Sequence, residues 1–209
     1  FKVDARLRPS GSSGPLVVSE DAFIRYHRET AHMWEKQAMI KARFAAGDPE
    51  FGAKMLAELQ RYIYAAPPTD EELKELYRIR KRMEIEIAKE GLGRYNVKYG
   101  KGGIVDVEFA VQILQLKVGM ETPSVRESNT LGAIEKLKDA RVISESDYTI
   151  LKDAYRFYRL LENRIRIVQN RIEGEIVKDS PELKSLAKRL APDSFNRGDA
   201  DKKLLEDYL

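Results

Sequence analysis

The stretch LKDAYRFYRLLENRIRIVQNRI, residues 151–172, places Leu151, Ala154, Tyr158, Leu161, Ile165, Val168 and Ile172 at unbroken three–four spacing. That spacing draws one apolar seam along a helix. Lys152, Arg156, Arg159, Asn163, Arg166 and Asn170 form the opposite, wet face. Tyr155 lies beside the seam and reads as core rather than as a stacking platform. The helix opens at Ser144 and covers about 145–172. It needs a partner, inside the fold or across an interface.

Working outward, helical punctuation repeats on both sides. Asn129 caps a short helix to about Ala140, and a strongly apolar helix covers about 104–118. Five glycines (Gly91, Gly93, Gly100, Gly102 and Gly103) make residues 91–103 the most irregular stretch. Thr69 and Glu72 form a capping box for a helix reaching about Lys89. Its apolar stripe is Leu73, Leu76, Tyr77, Ile79 or Arg80, Met83 and Ile87. Asp48-Pro49 opens a helix to about Ala65. Ser19, followed by Glu20 and Asp21, starts a helical segment over 20–46 that Gly47 stops. Ser180-Pro181 starts a helix downstream, and 197–209 adds a last piece. At the front, FKVDARLR (1–8) alternates with period two, which predicts a half-buried strand. A lone strand leaves its backbone unpaired, so its sheet is expected to lie upstream. The class is mainly α, a strand remnant followed by a helical bundle.

Composition narrows the chemistry. Lys+Arg 37 against Asp+Glu 34 gives a net charge of +3, too small to point to a nucleic-acid partner by itself. Zero Cys excludes disulfides, thiolate zinc sites and cysteine nucleophiles within the chain. His27 and His32 are the two histidines and receive no role. Any metal would rest on carboxylates, which suit magnesium or manganese. No apolar run approaches the ~18 residues that span a bilayer, so no membrane partner is expected.

Four groups of residues carry candidate chemistry. Asp4, Arg6 and Arg8 share the polar face of the predicted strand, where a carboxylate could hold a metal and cations could meet phosphates. A solvated face with an ion pair explains the same spacing. The Gly/Ser loop 10–14 lacks the ending of a phosphate-binding P-loop and reads as a turn. In KYGKGGIVDVEF (98–109), Gly102-Gly103 leads into a helix N-terminus with Lys98 and Lys101 nearby, an anion-attracting arrangement. Asp106 sits among apolar neighbours there and needs a partner, a metal, or the helix N-terminus itself. Glu108 lies on the polar stripe with Gln112 and Gln115. Lys41 and Arg43 follow an aromatic-rich segment and read as phosphate ligands or as surface charge.

Four segments in order, VDARLRPSGSSGPLVVS (3–19), WEKQAMIKAR (34–43), NVKYGKGGIVDVEFAVQILQL (96–116) and Asn129-Thr130, resemble the glutamine synthetase adenylyltransferase family. The likeness covers most of residues 1–172. It implies a bacterial, cytoplasmic enzyme that moves AMP from ATP to a tyrosine of glutamine synthetase. Removal of AMP by phosphorolysis, and control by the PII signalling protein, belong to the same family picture. The implied domains are the end of a nucleotidyltransferase domain (1–46), a helical bundle (47–172) and a helical extension (173–209). Asp4 would match the family's third Mg2+-binding carboxylate and serve catalysis. Asp106 and Glu108 would match a further acidic, metal-binding pair. Arg6, Arg8, Lys41, Arg43 and Lys98 would bind nucleotide. The motifs look more like the C-terminal, adenylylating half, with the other half of the polypeptide as a partner. The family's first two carboxylates are expected upstream, so the chain alone is expected to be inactive. A non-catalytic helical module docking glutamine synthetase or PII, and the related PII uridylyltransferase, are the alternatives.

Overall fold

A computed structural model describes residues 4–169 and 174–190. Its contacts divide the chain into two units: Phe1–Tyr77 with Val111–Ser144, and Arg78–Ala110 with Glu145–Leu209. The described residues are mainly helical, with a single two-stranded sheet. No helix among them is long and apolar enough to cross a membrane.

In the first unit, α1 (Glu20–Glu29) begins where the Ala22 N–H donates to Ser19 Oγ at 3.3 Å. The helical segment expected over 20–46 is two helices. Thr30 ends α1 and α2 (Met33–Met39) follows. Glu35 holds the break: its carboxylate accepts the His32 N–H at 2.8 Å and the Tyr26 hydroxyl at 2.8 Å. Asp48 accepts the Phe51 N–H at 2.7 Å and opens α3 (Pro49–Ile63). Thr69 and Glu72 form the reciprocal capping box that opens α4 (Asp70–Arg82). Asn129 caps α6 (Thr130–Asp139), accepting the Gly132 N–H at 3.1 Å.

The core of this unit is Met33, Met39, Ile40, Leu59, Ile63, Tyr64, Leu76 and Leu116. Leu116 comes from α5 (Ile104–Val118). Three buried glutamines of the same unit are hydrogen-bonded. Gln37 Nε2 donates to Gln112 Oε1 at 2.9 Å, and Gln115 Nε2 donates to the carbonyls of Val125 and Glu127. Buried amides satisfied in this way fix register without the penalty of an orphaned donor.

The second unit supplies the partner that the seam of α7 (Glu145–Gln169) requires. Leu161 and Ile165 pack with Val97, Ile176, Leu183, Leu186 and Ala187. The last three belong to α8 (Pro181–Leu190), which Ser180 caps through the Leu183 N–H at 3.1 Å. Val97 and Ile176 lie at and beside β1 (Arg94–Asn96) and β2 (Glu175–Val177), an antiparallel pair with Tyr95 opposite Ile176. This sheet sets one short strand, Arg94–Asn96, inside the stretch 91–103 that reads as the most irregular. Glu162, 2% exposed, sits beside the seam and is held by Arg159 at 2.8 Å and Arg166 at 2.9 Å. Charged arms from the wet face thereby neutralise a buried acid.

The strand expected over 1–8 does not form in its described part. Residues 4–8 have no neighbouring strand among the described residues, and their polar groups turn to local partners. Arg8 Nη1 donates to the Ala5 carbonyl at 2.7 Å and Nε to the Pro15 carbonyl at 3.1 Å. An extended segment without a ladder partner satisfies its backbone this way. The helix expected over 197–209, and the last turn of α7 to Ile172, lie outside the described residues.

Candidate functional site

The Asp4–Arg8 segment carries the first cluster. Arg6 Nε donates to both carboxylate oxygens of Asp4 at 2.9 Å, and the Arg6 N–H adds a third bond at 3.0 Å. Both side chains are more than half exposed. The Asp4 charge holds the Arg6 guanidinium above its ordinary value through that hydrogen bond and through attraction. Arg8 is turned back onto the Gly/Ser loop, reaching the carbonyls of Gly14 and Pro15. The loop is a 3-10 turn over Gly11–Ser13, with Ser10 and Gly11 both at positive φ.

Lys41 is half-buried and Arg43 exposed, after the end of α2. Arg43 borders a polar cavity of about 230 Å³ with Gln60, Tyr64, Arg126 and Ser128. The Arg126 guanidinium lies 4.9 Å from the centre of the Tyr64 ring and donates to the Gly119 carbonyl at 2.8 Å. Burial pushes the Tyr64 hydroxyl up to about 12, against the opposing pull of Arg126. Sequence reading missed Arg126, whose one signal is its place just before Asn129-Thr130.

In the second unit the glycine-rich loop is pinned from three sides. Arg80 Nε donates to Asp106 Oδ1 at 2.6 Å and Nη2 to Oδ2 at 2.8 Å. The Gly102 N–H donates to the same Oδ2 at 2.6 Å, and Arg80 Nη2 also reaches the Gly100 carbonyl at 2.8 Å. Glu90 accepts the N–H groups of Asn96 at 2.8 Å and Lys101 at 3.3 Å. The partner that Asp106 needs is therefore Arg80, whose side chain is 6% exposed. The signal for it was a cation at an apolar-stripe position of α4. Glu108 accepts from the Tyr155 hydroxyl at 3.4 Å. Lys98 is half-buried with Nζ 5.1 Å from the centre of the Tyr99 ring. Among the described residues, no three His, Asp or Glu side chains gather as a cation-holding group.

Comparison with known proteins gives matches along the chain. Residues 1–58 match the family model described as Glutamate-ammonia ligase adenylyltransferase, and residues 76–208 match the one described as GlnD PII-uridylyltransferase. A Streptomyces coelicolor protein named bifunctional glutamine synthetase adenylyltransferase/adenylyl-removing enzyme is 37% identical over 190 residues. That is 91% of this chain and 19% of the relative. Proteins of the same name are 40% identical over 167 residues in Mycobacterium leprae and 36% over 179 residues in Hahella chejuensis. They cover 80% and 86% of this chain, and 16% and 18% of their own lengths.

The chain belongs to the glutamine synthetase adenylyltransferase family.

Within that family, the chain spans about a fifth of the length of the curated relatives it matches. The uridylyltransferase description attaches to residues 76–208. The relatives that run through both matched segments carry the adenylyltransferase name.

Proposed function

We propose that this chain is the part of an adenylyltransferase that carries one metal-binding carboxylate and the helical body behind it. The parent protein would transfer AMP from ATP to a tyrosine of glutamine synthetase and remove it by phosphorolysis. The observation that carries this reading is the 37% identity over 91% of the chain to a relative of that name. The tyrosine oxygen attacks the α-phosphorus of ATP, the bond to the β-phosphate bridge breaks, and pyrophosphate leaves. The phenolic proton passes to a base.

Asp4 is the residue here suited to Mg2+. Its oxygens are hard donors on an exposed side chain, and the Arg6 that engages them is itself exposed, unlike the buried Arg80 on Asp106. Bound there, Mg2+ would offset charge on the triphosphate. Arg6, Arg8, Lys41, Arg43 and Lys98 are the proposed phosphate and nucleotide contacts. Asp106 and Glu108 fit a metal less well, because Arg80, Gly102 and Tyr155 already engage their oxygens. We assign Asp106 to holding the glycine-rich loop. The segment belongs to the adenylylating half, acts with the other half of its polypeptide in the bacterial cytoplasm, and is controlled through a PII-type protein. Asp4 alone cannot hold two cations, so the 209-residue chain by itself transfers no AMP.

The test incubates the parent protein with glutamine synthetase, ATP and Mg2+, then weighs the synthetase by intact mass spectrometry. An AMP adduct supports the proposal. No AMP adduct, with UMP added instead to a PII-type protein from UTP, overturns it in favour of the uridylyltransferase. No adduct on either leaves a helical docking module.

A further inference from the structure

His27 is the most unusual polar group in the first unit. It is 3% exposed, and neither Nδ1 nor Nε2 has a hydrogen-bond partner. Its ring is packed edge-on against Phe23, with centroids 4.3 Å apart, and stands 5.4 Å from both Tyr26 and Tyr62. Buried imidazole nitrogens are normally satisfied, so a pair without partners calls for an explanation. His27 also lines a cavity of about 340 Å³. That volume lies within the range of small-molecule sites, which combine an apolar lining with a few convergent polar groups.

The lining divides by chemistry. Phe23, Ile24, Leu59 and the Tyr62 ring supply apolar walls. Lys36, Arg28 and Arg61 bring three positive charges to the same space, against the single carboxylate of Glu58. Glu58 is already shared by Arg61 and by Arg28, the latter at 3.8 Å. The Lys36 ammonium lies 5.2 Å from the centre of the Tyr62 ring, and burial lowers its proton affinity. An ammonium made uncomfortable by burial gains most from an anion brought beside it.

We propose that the cavity between α1, α2 and α3 is a binding site for a small organic monoanion with a flat apolar body. The anion faces Lys36 and Arg28. The body lies against Phe23, Leu59 and Tyr62, with His27 as the inner wall. This inference does not rest on the AMP-transfer reading.

The chain has two histidines, so each imidazole can be followed alone by nitrogen NMR. His32, which is exposed, is changed to Gln to assign the remaining signal to His27. Benzoate, of the proposed class, is titrated into the full chain beside its cationic counterpart benzylamine. Benzoate is expected to give a saturating shift of the His27 nitrogens, and benzylamine none. Losing one charge-assisted contact should weaken benzoate binding about tenfold in Lys36→Gln or Arg28→Gln. The arginine is exposed, so its variant keeps the fold intact. No saturating shift, an equal response to benzylamine, or undiminished binding in both variants would overturn the proposal.

Discussion

At the residue scale, the Arg80–Asp106 pair has the largest expected effect. Arg80 is buried and hydrogen-bonded to both Asp106 oxygens and to the Gly100 carbonyl. Removing one partner of a wholly buried pair costs about 3–5 kcal/mol, because the other charge is stranded. Asp106 keeps 37% of its side chain exposed, so Asp106→Asn should cost less, roughly 2–3 kcal/mol in urea unfolding. A change within ±0.5 kcal/mol would show that the pair is only a surface contact.

His27 gives a pH signature at the same scale. Burial lowers its proton affinity, and Glu35 only partly opposes that. Lys36 and Arg28 border the same space. The unfolded chain therefore takes up a proton near 6.5 that the folded chain refuses. Above that pH His27 contributes no slope. As pH falls below 6.5 toward the lowered folded value, stability falls. Thermal melts from pH 7.5 to 5 should show this loss, and His27→Gln should flatten the part of it due to this residue. An unchanged profile in His27→Gln would refute the burial argument.

At the scale of elements, the glycine-rich loop and α5 form one device. The Ile104 N–H donates to the Val97 carbonyl at 3.0 Å and the Val105 N–H to the Lys98 carbonyl at 3.1 Å. A Cβ on Gly103 would come within 2.7 Å of that Val97 carbonyl. Gly103→Ala should therefore destabilise by roughly 1–3 kcal/mol through overpacking. Gly102 is different, with φ at +78° and open space around it. Gly102→Ala should cost only the left-handed backbone term, roughly 1–2 kcal/mol. Urea unfolding of the pair ranks them, and a costlier Gly102 variant would reverse the assignment.

Much at this scale was legible in the sequence. Ser19, Asp48, Thr69, Asn129 and Ser180 each cap the helix their residue type announces, because capping is local chemistry. The start and end of α5 at 104 and 118 were equally plain. The strand at Arg94–Asn96 was not, because its pairing partner lies some 80 residues away at Glu175–Val177. The break between α1 and α2 was hidden because its stopper is a side chain, Glu35, rather than a glycine or proline.

At the scale of the molecule, the class read from the 151–172 seam holds, since Leu161 and Ile165 are both core residues. The division into units runs through α4 between Tyr77 and Arg78, and through α5 between Ala110 and Val111. No composition shift marks such places, because contacts distant in sequence create them. The candidate site divides in the same manner. Asp4 and its arginines were readable as a charged cluster, whereas Arg80, Glu90 and Arg126 emerge only when the chain is folded.

The central claim is that Asp4 serves AMP transfer by the protein to which this chain belongs. It is tested by Asp4→Asn in that whole protein, incubated with glutamine synthetase, ATP and Mg2+, with the synthetase weighed intact over time. The substitution keeps the shape of the side chain and removes its charge. The account predicts that AMP addition slows by at least ~100-fold, the scale on which charge-stabilising groups at phosphates act, while the protein stays folded. AMP addition at the parent rate would contradict it.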